Sequence, residues 1–386
     1  MYFAERLKGL SSKNLLISLF LFLVLVTTIR FSILGFDPTK FMVHGERFSV
    51  EGGEVDIAIV DEGGYDGQYF GRIAFDPFDI KQESLGVKLD RPAYRYQRIL
   101  YPFLSWALAF GHSPLVPYTL ILVNILSLTV LGFLLFKLSE NLTLNRIFLI
   151  FVPLTPGLIM ALGRDLSEPL AAALLVGALL SFLNSKYVLY VLLAALCVLC
   201  RETTLVFFGA IGLAYTFFRG KKPGPEILLF LIPLFTYGVW QWILLKLFGE
   251  TGFSASPKNF GIPFAGMASY LFEILPSMSK KEVVLQAVYS LWLAILAFYS
   301  VKTLKVRSHD IFLQVLSISW ILWAGIAVCF SALIWEDDWS YCRVLIDWII
   351  CSYLLILLKT QKLPHILTLV SLMVCAGTIL RIMVKV

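Results

Sequence analysis

The sequence predicts an all-α integral membrane protein, a polytopic bundle of about 11 transmembrane helices. Hydrophobic residues occupy 59% of the 386 positions, charged residues occupy 15%, and the mean hydropathy is +0.82. Soluble proteins are roughly 45–50% apolar and about 25% charged. A soluble chain of this composition would have too little polar surface, so an ordinary soluble domain is excluded. Nothing in the charge pattern indicates nucleic-acid binding.

Apolar segments that can cross the membrane, or nearly so, follow one another along the chain. A helix needs about 20 residues to cross about 30 Å of hydrocarbon. We place the segments at residues 14–34, 114–136, 146–163, 166–183, 187–200, 203–218, 226–248, 283–301, 310–334, 342–358 and 364–384. Residues 99–111 are too short to count, and we expect a helix that lies on the membrane surface or dips into it.

The charge distribution predicts the orientation of the chain. Residues 35–98 contain 12 acidic and 8 basic side chains, whereas the rest of the sequence is strongly basic. Short cytoplasmic connections carry an excess of Lys and Arg. The basic N-terminus, with Arg6, Lys8 and Lys13, is therefore expected in the cytoplasm, followed by a retained signal anchor.

This orientation predicts a multi-pass protein of the cell membrane that forms a single domain, residues 1–386. It places two loops on the extracytoplasmic side, residues 35–113 and residues 249–282. The first is expected to carry short surface helices. The second is rich in Gly, Pro and Ser, which suits a mobile cover over a site.

The stretch GGYDGQYFGRIAFDPF, residues 63–78, contains the first candidate site. Two glycines break the chain, and Tyr69 and Ile73 then follow at helical spacing. Asp66 therefore lies where a loop meets a helix. One interpretation is that Asp66 only caps this helix. The other is that it is a catalytic carboxylate.

Two motifs resemble a known family. They are Asp66-x-x-Tyr69-Phe70-x-x-Ile73-Ala74 and Tyr94-Arg95-Tyr96-Gln97-Arg98-Ile99-Leu100-Tyr101-Pro102. Both are similar to patterns in GPI-anchor mannosyltransferases of the phosphatidylinositol-glycan class V type and their prokaryotic relatives, within the GT-C class of polytopic glycosyltransferases. This chain has Tyr65 where the family has Trp, and of a Phe-Pro-Leu-Tyr-Pro stretch it keeps only Tyr101-Pro102.

The resemblance implies an inverting transfer of a sugar from a polyprenyl-phosphate-linked donor to a glycan, glycolipid or protein outside the membrane. It implies that Asp66 is the general base, which must come within about 2.6–3.2 Å of the acceptor hydroxyl. Substrate contacts are expected from Tyr69, Arg95 and Arg98, which belong to the matched motifs, and from Gln68, which lies within the first motif. Asp61, Glu62 and Asp76 are alternative carboxylates, and Asp76 before Pro77 could equally form a turn.

A second cluster of charges occurs in two turns at the predicted outer boundary. Arg164, Asp165 and Glu168 lie in one turn, and Arg201 and Glu202 lie in the other. Ionisable groups at membrane depth are usually functional or paired. They could contact substrate, or Arg164–Glu202 or Arg201–Asp165 pairs could tie helices together. The two interpretations are compatible.

The third cluster is WEDDWSYCRVLID, residues 335–347. The acidic residues 336–338 are expected to face outward, with Trp335 and Trp339 at the membrane interface. Arg343 lies one turn into the next segment. A guanidinium group binds phosphate through two parallel hydrogen bonds, so Arg343 is expected to bind the carrier phosphate.

Neither a cofactor nor a metal is expected. No D-x-D motif occurs at Asp66, although some GT-C enzymes use a divalent cation. Cys197 and Cys200 form a C-x-x-C within an apolar run, which favours two buried small residues over a metal or redox site.

Membrane lipids and the two substrates are the expected partners. The rival functions are a secondary transporter or lipid flippase, and a noncatalytic subunit with a GT-C-like fold. Transporters often contain inverted repeats with charges near the midplane. Charges gathered at the outer boundary, without a visible repeat, favour the enzyme.

Overall fold

A computed structural model describes residues 11–50, 55–218, 227–254 and 259–384. The described chain is mostly helical, with two small two-stranded sheets near its beginning. The N-terminal cations Arg6 and Lys8 lie outside the described residues.

The first 108 residues contain short elements after one long helix. In chain order these are α1 (Ser12–Ile33), β1 (His44–Gly45), β2 (Ile59–Asp61), α2 (Gly67–Phe75), β3 (Glu83–Ser84), β4 (Val87–Lys88), α3 (Pro92–Tyr96) and α4 (Leu100–Leu108). Strands β1 and β2 pair in parallel, whereas β3 and β4 pair antiparallel.

Helices make up the remainder of the described chain. They are α5 (Val116–Leu142), α6 (Arg146–Leu149), α7 (Pro156–Leu162), α8 (Glu168–Leu183), α9 (Tyr187–Cys200), α10 (Leu205–Leu213), α11 (Ile227–Phe248), α12 (Ala265–Ser269), α13 (Lys280–Val301), α14 (Ile311–Ala327), α15 (Ala332–Glu336), α16 (Asp338–Val344), α17 (Ile346–Thr360) and α18 (His365–Val384).

Five of the described helices are long and apolar enough to cross a membrane, namely α1, α5, α11, α13 and α18. Helices α16 and α17 meet at a bend of 59° and together would provide a sixth crossing. The protein is therefore an α-helical membrane protein. Helices α8, α9 and α14 are also apolar, but they contain only 16, 14 and 17 residues.

The structure does not confirm 11 separate crossing helices. The segment 146–163 contains α6 and α7 with a turn between them that includes Pro153. Proline lacks an amide hydrogen and collides with the preceding helical turn. The segment 203–218 divides into part of a 3-10 turn, nine-residue α10 and the π-helical turn Ala214–Phe218.

The first predicted outer loop packs against the helix bundle. Met42 and Phe70 of the loop share a buried core with Leu120 of α5 and Leu166. Tyr101 belongs to the same core and donates a hydrogen bond to the Leu120 carbonyl oxygen at 3.1 Å. Its helix, α4, has nine residues and rises only about 14 Å, so residues 99–111 do not cross the membrane as one helix.

The described part of residues 249–282 is hydrogen-bonded to the turn after α14. The Gly261 amide donates to the Cys329 carbonyl oxygen at 2.8 Å, and the Phe264 amide donates to that of Val328 at 2.7 Å. Backbone bonds thus join this second loop to the segment that leads into α15 and α16.

Arg30 connects both ends of the described chain to the centre of the fold. It is 2% exposed on α1, and its Nε donates to the Gly163 carbonyl oxygen at 2.9 Å. Its Nη1 donates to the Ile382 carbonyl oxygen of α18. The turn that follows Gly163 is thereby held against the first and last helices.

Gly67 lets α2 approach that turn closely. A Cβ atom at Gly67 would overlap the Arg164 carbonyl oxygen and lie 2.8 Å from that of Met42. Because both obstacles are backbone atoms, we expect Gly67→Ala to lower the free energy of unfolding by about 1–3 kcal/mol. Thermal unfolding in detergent measures this change.

Gly63→Ala is the matched control, because a Cβ atom at Gly63 would meet no heavy atom within 4 Å. We expect its unfolding temperature to equal that of the wild type. Equal unfolding temperatures for the two alanine variants would contradict the proposed close approach of α2.

Candidate functional site

Asp66 lies between two arginines at the start of α2. Its Oδ1 accepts a hydrogen bond from Arg95 Nη1 at 2.7 Å, and its Oδ2 accepts one from Arg343 Nη2 at 2.9 Å. Asp66 occupies the N-cap position of α2, but its side chain accepts no hydrogen bond from the helix backbone. The Asp66 carboxylate therefore forms ion pairs with two arginines and does not cap the helix.

Arg343 also binds a second carboxylate. Its Nε donates to Glu168 Oε1 at 2.8 Å, and the same oxygen lies 2.9 Å from Arg201 Nη1. The Glu168 side chain is only 1% exposed. Arg343 thus connects α2, the start of α8 and α16, while Glu168 connects Arg343 to the end of α9.

A bidentate ion pair lies beside this chain of charges. Arg98 Nε donates to Glu202 Oε2 at 2.8 Å, and a second bond joins Arg98 Nη2 to Glu202 Oε1. Because α8 and α9 are antiparallel neighbours joined by a short turn, the start of α8 and the end of α9 lie at the same end of the pair. This geometry brings Glu168 and Glu202 together.

Arg95 is held by a residue that sequence reasoning missed. Asp90 accepts bonds from Arg95 Nε and Nη2 at 2.7 and 2.8 Å. The guanidinium carbon of Arg95 also lies 3.9 Å from the centre of the Tyr69 ring. The sequence contains one signal for this contact. The run Asp90-Arg91-Pro92 at the start of α3 places a carboxylate five residues before Arg95.

Arg164 lies at the edge of the cluster between two aromatic rings. Its guanidinium carbon is 4.3 Å from the centre of the Tyr65 ring and 4.2 Å from that of Trp339. The residue is 5% exposed. It makes no hydrogen bond or ion pair to any other residue that the structure describes.

The structure corrects the expected pairs between the two charged turns. The turns are joined by Arg201–Glu168, whereas Glu202 binds Arg98 instead of Arg164. Asp165 is fully buried, and its carboxylate oxygens accept no hydrogen bond from the described residues. No ion pair joins Asp165 to the cluster within the described chain, and the backbone at Asp165 adopts a positive φ of 50°.

Gln68 supports the loop and does not join the ion pairs. Its Oε1 accepts a hydrogen bond from the Gly45 amide at 3.1 Å and lies 3.1 Å from His44 Nδ1. Gln68 is 2% exposed. It therefore holds β1 against α2.

Two side chains of the third cluster that were expected at an outer surface are buried inside the protein. Trp339 is 2% exposed, so its ring packs against other protein groups. Asp338 is 6% exposed and faces Arg381 of α18, with Nη2 3.1 Å from its Oδ1. Asp338 and Trp339 are buried against residues far away in the chain, Arg381 and Arg164, and a linear sequence does not reveal such contacts.

The alternative carboxylates near Asp66 have local roles. Asp76 Oδ1 accepts a hydrogen bond from the Phe78 amide at 2.9 Å, as expected for a turn. Asp61 accepts one from the Gly64 amide. Neither of these two residues, nor Glu62, forms an ion pair with the arginines of the described cluster.

Among the described residues, no group of three or more His, Cys, Asp or Glu side chains could hold a metal ion. Cys197 and Cys200 are both fully buried. Each thiol faces a backbone carbonyl oxygen of the 167–171 region at 3.4 Å. The interpretation of these cysteines as buried small residues is confirmed.

The two arginines control the charge state of Asp66. Burial alone would raise the pKa of Asp66, but Arg95 and Arg343 outweigh it and hold the pKa well below its ordinary value of 3.8. Burial alone would lower the pKa of Arg95, but Asp66 and Asp90 raise it above its ordinary value. In this arrangement Asp66 is ionised and is a weak proton acceptor.

Comparison of this chain with known proteins finds no match of any kind. No protein-family model, no curated protein and no solved structure matches this chain.

The depressed pKa of Asp66 predicts a pH dependence of stability. A carboxyl group with a lowered folded-state pKa stabilises the fold above its unfolded pKa, and this contribution is lost as the pH falls through the folded-state pKa. Arg95→Gln removes one cation and moves the pKa of Asp66 toward 3.8. We therefore expect the unfolding temperature to fall less steeply below about pH 4 in Arg95→Gln than in the wild type.

Arg47→Gln controls for the loss of one positive charge, because Arg47 is exposed and makes no side-chain ion pair in the described chain. Its acid profile should match that of the wild type. Identical acid profiles for all three proteins would show that Arg95 does not control the ionisation of Asp66.

Proposed function

We propose that this protein is a membrane glycosyltransferase that uses a polyprenyl-phosphate-linked sugar. The acceptor would be a glycan, glycolipid or protein on the extracytoplasmic face. The observation that carries the proposal is a partly buried carboxylate, Asp66, held between Arg95 and Arg343 at a cluster rich in guanidinium groups. The resemblance of the surrounding motifs to GT-C enzymes supports the same assignment.

The charge of the cluster suits an anionic substrate. Arginines bind phosphate oxygens through paired, charge-assisted hydrogen bonds. A donor phosphate that approaches Arg343 would compete with Asp66 for the same guanidinium group. Asp66 would then lose a cationic partner, and its affinity for a proton would increase when the donor is in place.

In the proposed reaction, Asp66 acts as the base after the donor phosphate has taken its place at Arg343. The acceptor hydroxyl oxygen attacks the anomeric carbon of the sugar, and the bond from this carbon to the phosphate oxygen breaks. Polyprenyl phosphate leaves with the bonding electrons, and Asp66 takes the hydroxyl proton. Since phosphate is a good leaving group, a weak base is sufficient.

The proposal includes the path of the chain through the membrane. The eleven-segment path counts the short helices α8, α9 and α14 and the broken segments 146–163 and 203–218 as crossings. It places the N-terminus in the cytoplasm and residues 35–113 outside. Short spans of this kind are tolerated where neighbouring protein surrounds irregular backbone.

Asp66→Asn tests the proposed base. The amide keeps the size of the side chain but cannot accept the proton, so we expect sugar transfer to slow by about 10²–10⁴-fold. The measurement compares lipid-linked glycans by mass spectrometry in cells with the wild type, the variant and no protein. Loss of one hexose or pentose from a glycan would identify the sugar mass.

Asp76→Asn is the matched control, because Asp76 lies nearby but only forms a turn. We expect it to transfer sugar at the parental rate. Full transfer by folded Asp66→Asn would sink the assignment of the base. Unchanged glycan masses in cells without the protein would favour a transporter, a flippase or a noncatalytic subunit.

Cysteine labelling tests the orientation. Glu83 and Arg307 are exposed, whereas Cys329 is the native cysteine that is not buried. In a Cys329→Ser background we expect Glu83→Cys to react with an impermeant maleimide in intact cells. Arg307→Cys should react only after permeabilisation, because it lies in a basic connection. The reverse pattern would overturn the orientation.

A further inference from the structure

Arg164 differs from the other arginines of the cluster because it forms no ion pair with any residue that the structure describes. Arg95, Arg98, Arg201 and Arg343 each form an ion pair with a carboxylate. Arg164 forms none with the residues that the structure describes, although it is 5% exposed. Its Nε is buried and donates no hydrogen bond there.

The surroundings hold the guanidinium group of Arg164 in place. Tyr65 and Trp339 contribute ring contacts at 4.3 and 4.2 Å. Contacts of a cation with aromatic faces offset only part of the cost of burying a charge. At Asp165, the next residue, the backbone adopts a φ of 50°, a region that residues other than glycine seldom adopt.

The nearest charges do not neutralise Arg164. The guanidinium carbon of Arg343 lies 5.1 Å from the centre of the same Tyr65 ring, so two cations share one aromatic side chain. Asp337 and Asp61 act on Arg164 only from beyond ion-pair distance. The Asp337 carboxylate already accepts bonds from the Trp339 amide and the Ser340 hydroxyl.

We propose that Arg164 is the main binding group for a phosphate or phosphate ester, with Arg343 as its second cation. A guanidinium group offers parallel N–H donors that match two oxygens of such an anion. Two neighbouring cations favour the higher charge of a phosphate over a single carboxylate. Arg343 is already engaged by Asp66 and Glu168, which makes Arg164 the first contact.

This site adds a phosphate-binding residue to the proposed glycosyltransferase. The identification of the anion as a lipid carrier rests on that proposed function. Binding at Arg164 can still be measured without any sugar transfer. The test uses purified full-length protein in nanodiscs of a zwitterionic lipid. The probes are inorganic phosphate and a polyprenyl phosphate, each compared with chloride at equal ionic strength.

We expect at least one probe to raise the unfolding temperature of the wild type, because a ligand stabilises the state that binds it. Stabilisation by the lipid alone identifies a headgroup, whereas stabilisation by both identifies the phosphate group itself. Arg164→Gln should lose the shift, and Arg164→Lys should weaken binding about tenfold. The exposed control Arg307→Gln should keep the whole shift.

The unfolding temperature of Arg164→Gln, measured without a probe, distinguishes a binding role for Arg164 from a structural one. Removing an unneutralised buried charge should leave the unfolding temperature of Arg164→Gln equal to that of the wild type or higher. An unchanged probe shift in Arg164→Gln, or no shift in the wild type, would overturn the site. If Arg164→Gln cannot be purified folded, wild-type affinity in Arg164→Lys would overturn it.

Failure of the anion site at Arg164 can be told apart from failure of the proposed glycosyl transfer. An Arg164-dependent shift in a protein that transfers no sugar supports the anion site and contradicts the glycosyltransferase. Sugar transfer without such a shift contradicts only the anion site.

Discussion

The fold around the candidate site depends on Arg343, which binds Asp66 and Glu168 at once. The two carboxylates lie 277 and 175 positions from Arg343 in the sequence. A buried ion pair is stable only when the attraction between its members offsets the loss of water around both. The first loop, the start of α8 and α16 must therefore all be in place together. The same contact positions Asp66 relative to the helix bundle.

The cluster alternates cations and anions through Asp90, Arg95, Asp66, Arg343 and Glu168. Each carboxylate in this series stabilises an arginine that could otherwise bind a negatively charged ligand. A ligand that binds one of these paired arginines must break an existing ion pair, so binding there is coupled to rearrangement of the cluster. Arg164 stands outside the series of ion pairs in the described chain. A ligand that binds Arg164 therefore breaks no ion pair between an arginine and a carboxylate of the described residues.

The residues of the site could be predicted from the sequence better than the contacts among them. Arg98 stood out because it belongs to a motif that resembles a known family, whereas Glu202 and Arg343 stood out because charged residues are rare beside apolar segments. Their partners could not be deduced, since several acids and bases were available in each turn. Asp90 was missed because its loop contains many charges. Trp339 was expected at the membrane interface because an aromatic residue beside acidic ones is typical of that position, and only its contacts in the fold show that it is buried.

Composition and the lengths of the apolar segments determined the helical membrane class. A chain with 59% hydrophobic residues cannot cover them in water, and apolar runs of about 20 residues match a helix that crosses the bilayer. Local pattern also placed Asp66 at the start of a helix and α4 among the short elements. The structure decided how many helices are long enough to cross, since a turn at 150–155 and the π-helical turn Ala214–Phe218 interrupt two segments that read as continuous apolar runs. It also decided which charges meet. Ion pairing requires contacts within a few ångströms between residues far apart in the chain, and hydrophobic periodicity contains no information about such contacts.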